Sequence, residues 1–176
     1  AIINDAGLNI EAVHQHRMEN GGVKGFPGSE HVEDGHSILE KECDILLPAA
    51  LESQITLENA DRIQTKIIAE AANGPVTFGA DGVLREKGVV IIPDAFLNAG
   101  GVTVSYFEWV QNKAGYYWGL AEVQEKLKAI MEPEARSIWN VKREKGLNMR
   151  TAAYVHALAR IASAVEAHGT KAYFEG

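Results

Sequence analysis

Three short aliphatic runs, Cys43-Asp44-Ile45-Leu46-Leu47, Lys66-Ile67-Ile68-Ala69-Glu70 and Val89-Val90-Ile91-Ile92, start 23 residues apart, at positions 43, 66 and 89. Each is four or five residues long and lacks polar alternation, the pattern of a strand covered on both faces. The stretches between them, Ser53 to Gln64 and Phe78 to Lys87 with Gly88 as a stop, are polar and helix-compatible. Strand, helix and strand in alternation predict βαβ units, and hence an α/β fold with a parallel sheet.

The flanks read differently. Asn9 is placed to cap a helix to about Asn20, with Gly21-Gly22 terminating it. The loop Gly25-Phe26-Pro27-Gly28-Ser29 follows. Ala1-Ile2-Ile3-Asn4 reads as a chain already inside, or just leaving, a strand; without an initiator Met it is expected to be part of something longer. Downstream, Asn98 to Asn112 reads as a helix with Val102, Ser105, Tyr106, Trp109 and Val110 on one face. After Lys113-Ala114-Gly115 the pattern becomes purely helical. Leu120, Val123, Leu127 and Ile130 form a stripe that Ile138 and Val141 continue past Pro133, where a kink is expected. Asn148 is placed to cap a last helix, ended by Gly169, with Ala152, Val155, Leu158, Ala159, Ala162 and Val165 on one side. The expected organisation is therefore a sheet-bearing part, residues 1–112, and a C-terminal helical hairpin, 113–176.

Composition removes several functions. Against 24 Asp+Glu there are 17 Lys+Arg, a formal charge of −7, with no basic block; this argues against nucleic acid and against anionic membrane surfaces. No apolar run approaches the roughly 18 residues of a membrane span. Cys43 is the sole cysteine, so no intrachain disulfide can form. That points to a reducing compartment, the cytoplasm or, in a eukaryote, the mitochondrial matrix.

An open parallel sheet binds ligands beyond the carboxyl ends of its strands. Three loops lie there: Pro48-Ala49-Ala50, Glu70-Ala71-Ala72-Asn73-Gly74-Pro75 and Pro93-Asp94-Ala95-Phe96-Leu97-Asn98-Ala99-Gly100-Gly101. Small residues let a flat ligand approach the backbone, and Asn73 and Asn98 each offer a donor and an acceptor, which a carboxamide such as that of nicotinamide requires. Turn chemistry alone also explains Asn-Gly-Pro. Gly100-Gly101 costs a helix start about 1 kcal/mol per residue relative to Ala. Either a ligand comes close at a helix N-terminus with free amides, or a bulky neighbour packs there. Ser105 lies one turn further and could donate to a carboxylate. Asp94 is a candidate base, with ordering of the following turn as the plainer role. His14 and His16 point about 200° apart on their helix and cannot share an ion. His31 and His36 read as solvated, Cys43 as a small buried hydrophobe, and Tyr116-Tyr117-Trp118 as packing; no metal is expected.

The block Asn98-Ala99-Gly100-Gly101-Val102-Thr103-Val104-Ser105-Tyr106-Phe107-Glu108-Trp109 resembles the corresponding segment of hexameric glutamate dehydrogenases. So do Cys43 to Ala50, Ala69 to Pro75 and Arg150-Thr151-Ala152-Ala153-Tyr154, in the family's order and spacing from Ala1 to about Gly169. The resemblance implies a partial Rossmann-like domain over 1–112, followed by the helical segment. It also implies NAD or NADP as cofactor and L-glutamate/2-oxoglutarate as substrate pair. Ala49, Ala50 and Gln54 would lie on the cofactor's adenosine and ribose side. Asn73 would contact the nicotinamide ribose and Asn98 the carboxamide. Val102 and Ser105 would meet the side-chain end of glutamate.

The family's lysine-bearing substrate domain, its glycine-rich phosphate loop and the residue that selects NAD or NADP have no counterpart here; no G-x-G-x-x-G occurs in the chain. No catalytic residue is expected in this chain, which by itself should be inactive. The family's hexamer implies a homo-oligomer for the whole enzyme. Two alternatives stand beside that reading: a non-catalytic nucleotide-binding or oligomerisation remnant, and a folded truncation that binds nothing.

Overall fold

The computed structural model describes residues 1–167. Its elements are β1 (Ile2–Ile3), α1 (Ile10–Asn20), β2 (Glu30–His31), β3 (Cys43–Leu46), β4 (Thr65–Ala69), α2 (Phe78–Glu86), β5 (Val90–Ile92), α3 (Asp94–Leu97), α4 (Ala99–Ala114), α5 (Leu120–Lys145) and α6 (Met149–Ala167). The predicted end of the last helix at Gly169 lies outside the described residues. No described helix is long and apolar enough to cross a membrane.

The three aliphatic runs form one parallel sheet in the order β3-β4-β5. Register explains its two faces. Ile68 and Ile91 share one row with Leu46, and this row packs on the core of Ile55, Ile63, Ala80 and Leu84. Ile45, Ile67 and Val90 form the neighbouring row and point to the opposite face. There Ile45 and Val90 are exposed, so the expectation of strands covered on both faces holds for one face only.

The second crossover contains the expected helix, α2. The first does not. Ser53 to Gln64 is an irregular loop with a short 3-10 turn at Ala60–Arg62. The reason is local: Asn59 Oδ1 accepts the Thr56 amide, Thr56 Oγ1 accepts the Glu58 amide, and Asn59 Nδ2 donates to the Gln54 carbonyl. Such side chains compete with helical hydrogen bonds. The loop instead lets Ile55 make an isolated parallel bridge to Val76 and buries Ile55 and Ile63 almost completely.

At the start, β1 pairs with β2 in a separate antiparallel ribbon. Asn9 caps α1 through the Ala12 amide, and Gly21 ends it in the left-handed conformation at φ 71°. The helical hairpin is present as predicted. α5 runs as one helix of 26 residues through Pro133, and Asn148 caps α6 through the Thr151 amide. Ala152 and Ala153 let α6 approach closely, and with Ile138 and Met149 they form a second small core that also takes in Phe96. Further along α6, Leu158 and Ile161 are exposed, so only the first part of the predicted apolar face is covered.

Candidate functional site

Backbone hydrogen bonds stitch together the three loops at the carboxyl ends of the strands. The Ala71 and Ala72 amides both donate to the Pro48 carbonyl, the Ser53 amide donates to that of Gly74, and the Glu70 amide to that of Ile92. Asn98 Nδ2 donates to Asn73 Oδ1 at 2.6 Å. The two predicted asparagines thus sit on one rim in direct contact. Ala49, Ala50 and Gln54 lie nearby in sequence to the first loop, where they wall a cavity of about 280 Å³. Gly35, His36 and Leu39 line it as well. Gln54 turns its amide to the Glu52 carbonyl. Ser53, between them, is the one non-glycine among the described residues with positive φ, 53°.

Sequence reading missed the charged centre behind this rim. Arg150, in the first turn of α6, donates to Glu70 Oε1 at 2.8 Å, Asp81 Oδ2 at 3.0 Å and Asp94 Oδ1 at 3.2 Å. Arg85 holds the other oxygen of Asp81 at 2.7 Å. Glu70 is fully buried, and its second oxygen accepts the Asp94 amide. Burial opposes the charge of Arg150, but the hydrogen bonds to Glu70 and Asp81 and their negative charges outweigh it and raise the guanidinium pKa. Asp94 orders its loop by accepting the Gly74 and Ala95 amides. A signal did exist: Glu70 closes an otherwise aliphatic strand, and a buried carboxylate needs a partner.

The helix carrying Ser105 departs from expectation. Helical structure begins at Asp94, and Asn98 joins α3 to α4 with a helical backbone (φ −83°, ψ −4°) and no side-chain cap. The Gly101 amide is consequently taken by the Asn98 carbonyl, so Gly101 offers no free N–H to an anion. Nor does packing require glycine there: a Cβ on Gly101 would meet no atom within 4 Å. Val102 and Ser105 are exposed. So are Tyr106 and Trp109, while the buried side of α4 carries Phe107 and Gln111. The predicted stripe is therefore the bare face of the helix.

Other candidates resolve simply. His16 Nε2 donates to the Lys24 carbonyl and the ring meets that of Phe26 edge-on, and His31 lies 3.5 Å from Glu33. Among the described residues no three His, Cys, Asp or Glu side chains converge as metal ligands. Of the aromatic run, Trp118 packs against Phe107, whereas Tyr116 and Tyr117 are exposed. Cys43 is half-buried. A larger groove of about 1610 Å³ is lined by Cys43, Thr65 and Val89, at the amino ends of the strands and away from the edge where open sheets bind ligands.

The model of the glutamate/leucine/phenylalanine/valine dehydrogenase family matches residues 1–169. An NADP-specific glutamate dehydrogenase of Synechocystis sp. is 43% identical over 182 residues, covering 99% of this chain and 42% of that protein. An NAD-specific glutamate dehydrogenase of Clostridioides difficile is 45% identical over 169 residues, covering 96% of this chain and 40% of the relative. The chain thus spans about two fifths of the length of these curated relatives. Among solved structures, the glutamate dehydrogenase of Peptoniphilus asaccharolyticus superposes with a TM-score of 0.77 at 36% identity, over 94% of this chain and 36% of that one. The hetero-hexameric glutamate dehydrogenase of Thermus thermophilus gives 0.83 at 25% identity, over 93% and 38%.

Proposed function

Since the chain belongs to the glutamate/leucine/phenylalanine/valine dehydrogenase family, we propose that it supplies half of the cofactor site and the substrate-contacting serine helix of an NAD(P)-dependent glutamate dehydrogenase. The whole enzyme would oxidatively deaminate L-glutamate to 2-oxoglutarate and ammonia. Residues 1–112 would form the cofactor part and 113–176 the helical segment, in a homo-oligomer working in the cytoplasm or the mitochondrial matrix.

One observation carries this reading: the Asn98–Asn73 hydrogen bond at the carboxyl edge of the sheet. It uses one of the two Asn98 Nδ2 donors and one of the two Asn73 Oδ1 acceptor sites. The side-chain oxygen Oδ1 of Asn98 and the side-chain nitrogen Nδ2 of Asn73 keep no protein partner among the described residues. An acceptor suited to a carboxamide N–H and, beside it, a donor suited to a ribose oxygen fit the nicotinamide end of such a cofactor. The residues present therefore fit a nicotinamide nucleotide, which when bound supplies the hydride acceptor.

Around it the chain's own residues bind and orient. Asn98 takes the carboxamide and Asn73 the adjoining ribose. Ala49 and Ala50, with no side chain beyond Cβ, leave room beside Gln54 for the adenosine and ribose side. Val102 and Ser105, exposed on α4 beyond Asn98, meet the side-chain end of glutamate, where Ser105 donates a hydrogen bond to the carboxylate and adds no charge. Relatives specific for NADP and for NAD match equally well, so either coenzyme is compatible with these residues.

The test is turnover by the full-length polypeptide. It should reduce NAD or NADP with L-glutamate and release ammonia, and Asn98→Ala should raise KM for the coenzyme more than for glutamate. The isolated 176-residue chain should show no turnover, because catalysis needs positioned groups and a closed, water-poor cleft. A full-length protein inactive with both coenzymes, or an Asn98→Ala variant of unchanged coenzyme KM, would refute the assignment.

A further inference from the structure

One guanidinium, that of Arg150, is shared by three carboxylates from three different parts of the fold: Glu70 after β4, Asp81 in α2 and Asp94 opening α3. Its planar fork of donors can serve several anions in fixed directions, which a lysine ammonium cannot do in the same way. Clamping α6 to the sheet is one consequence. A second follows from Asp94, whose Oδ2 accepts the Gly74 amide at 2.8 Å while its Oδ1 receives Arg150. Gly74 holds a left-handed backbone at φ 52° and adjoins Asn73, whose Oδ1 accepts from Asn98. Direct contacts thus run from α6 to the rim through Arg150, Asp94, Gly74, Asn73 and Asn98.

We propose that Arg150 is a positioning residue for the Asn73–Asn98 pair, acting through Asp94, so that the docking of α6 sets the geometry with which the rim meets the nicotinamide end of the coenzyme. The proposal rests on the reading of the rim given above and adds to it a residue from the helical hairpin. Arg85 is the natural control. It binds the same buried cluster through Asp81 alone and lies off the line to Asn73.

The experiment uses the full-length polypeptide, with Arg150→Lys, Asp94→Asn, Arg85→Met, Asn98→Ala and the Arg150→Lys/Asn98→Ala pair. Steady-state kinetics are combined with hydrogen exchange over residues 70–76. Arg150→Lys should raise the coenzyme KM about tenfold, as a misplaced binding group does, and speed exchange at the Gly74 amide. Asp94→Asn, which presents an amide where Arg150 and two backbone donors expect a carboxylate, should shift both readouts in the same direction. On the Asn98→Ala background the Arg150→Lys effect should shrink to within about twofold, since the two act along one chain of contacts. Arg85→Met should lower the melting temperature and leave the coenzyme KM alone. The proposal is overturned if Arg150→Lys lowers only stability with Gly74 exchange unchanged, or if its effect multiplies in full with Asn98→Ala. A wild-type protein that turns over neither coenzyme would instead sink the functional reading, and is recognised before any variant is compared.

Discussion

Replacing Arg150 by Met removes the one cation, among the described residues, that pairs with the fully buried Glu70. The loss is unevenly distributed. Asp81 keeps Arg85, and Asp94 keeps the Gly74 and Ala95 amides. Glu70 is 0% exposed and is left with the Asp94 amide on one oxygen and nothing on the other. Stripping one partner from a buried ion pair costs about 3–5 kcal/mol. The Arg150 side chain is itself 22% exposed, so water can approach the vacated place, and about 3 kcal/mol is the expected figure. Urea denaturation followed by circular dichroism at constant m-value would measure it. The second half of the test is repair. Adding Glu70→Gln to Arg150→Met exchanges an orphaned charge for an orphaned neutral group, and should return about 1–2 kcal/mol. A loss below about 1 kcal/mol for Arg150→Met, or a further loss on adding Glu70→Gln, would show that the cluster does not carry the energetic role that its burial implies.

Three further outcomes are expected. In the full-length polypeptide, Ser105→Ala should raise KM for glutamate more than for the coenzyme, by up to about 1.5–3 kcal/mol for a hydrogen bond to a charged group; equal effects in steady-state assays would remove Ser105 from the substrate site. Between α5 and α6, Glu134 receives His156 and Arg160, each at 2.5 Å, and the His156 hydrogen bond above all holds its carboxyl below the usual 4.5. The unfolded chain then binds this proton more readily, so the contribution is whole above pH 4.5 and lost as pH falls through the depressed folded value; thermal melts should lose less on acidification in Glu134→Gln than in wild type, and parallel curves would contradict this. Finally, Val102, Tyr106 and Trp109 on α4 and Leu158 and Ile161 on α6 are bare. The 176-residue chain should self-associate with concentration in sedimentation velocity, and Trp109→Glu with Leu158→Glu should reduce it; a strictly monomeric wild type would refute the argument.

What was legible in the sequence was what depends on near neighbours along the chain. Short, mostly aliphatic runs at regular spacing predicted three parallel strands, and the three strands form, although only one face of their sheet is covered. Asn9, Gly21 and Asn148 marked helix ends through bonds that span only a few positions. Loops at the carboxyl edge located the rim, and Asn73 and Asn98 do meet there. The same local logic failed at Ser53–Gln64, where helix-compatible composition lost to side-chain bonds from Thr56 and Asn59 and to the demand of Ile55 and Ile63 for the core. It failed again on α4, where periodicity identified a stripe and could not say which side faces the protein. Tertiary structure alone decided the rest. Glu70 and Arg150 are separated by 80 positions, and no spacing rule joins them. Only the folding of the hairpin back onto the sheet brings a cation to the buried Glu70 and Asp81 and the half-buried Asp94, and an ion pair's energy depends on distance and burial in space, to which the chain's linear order is blind.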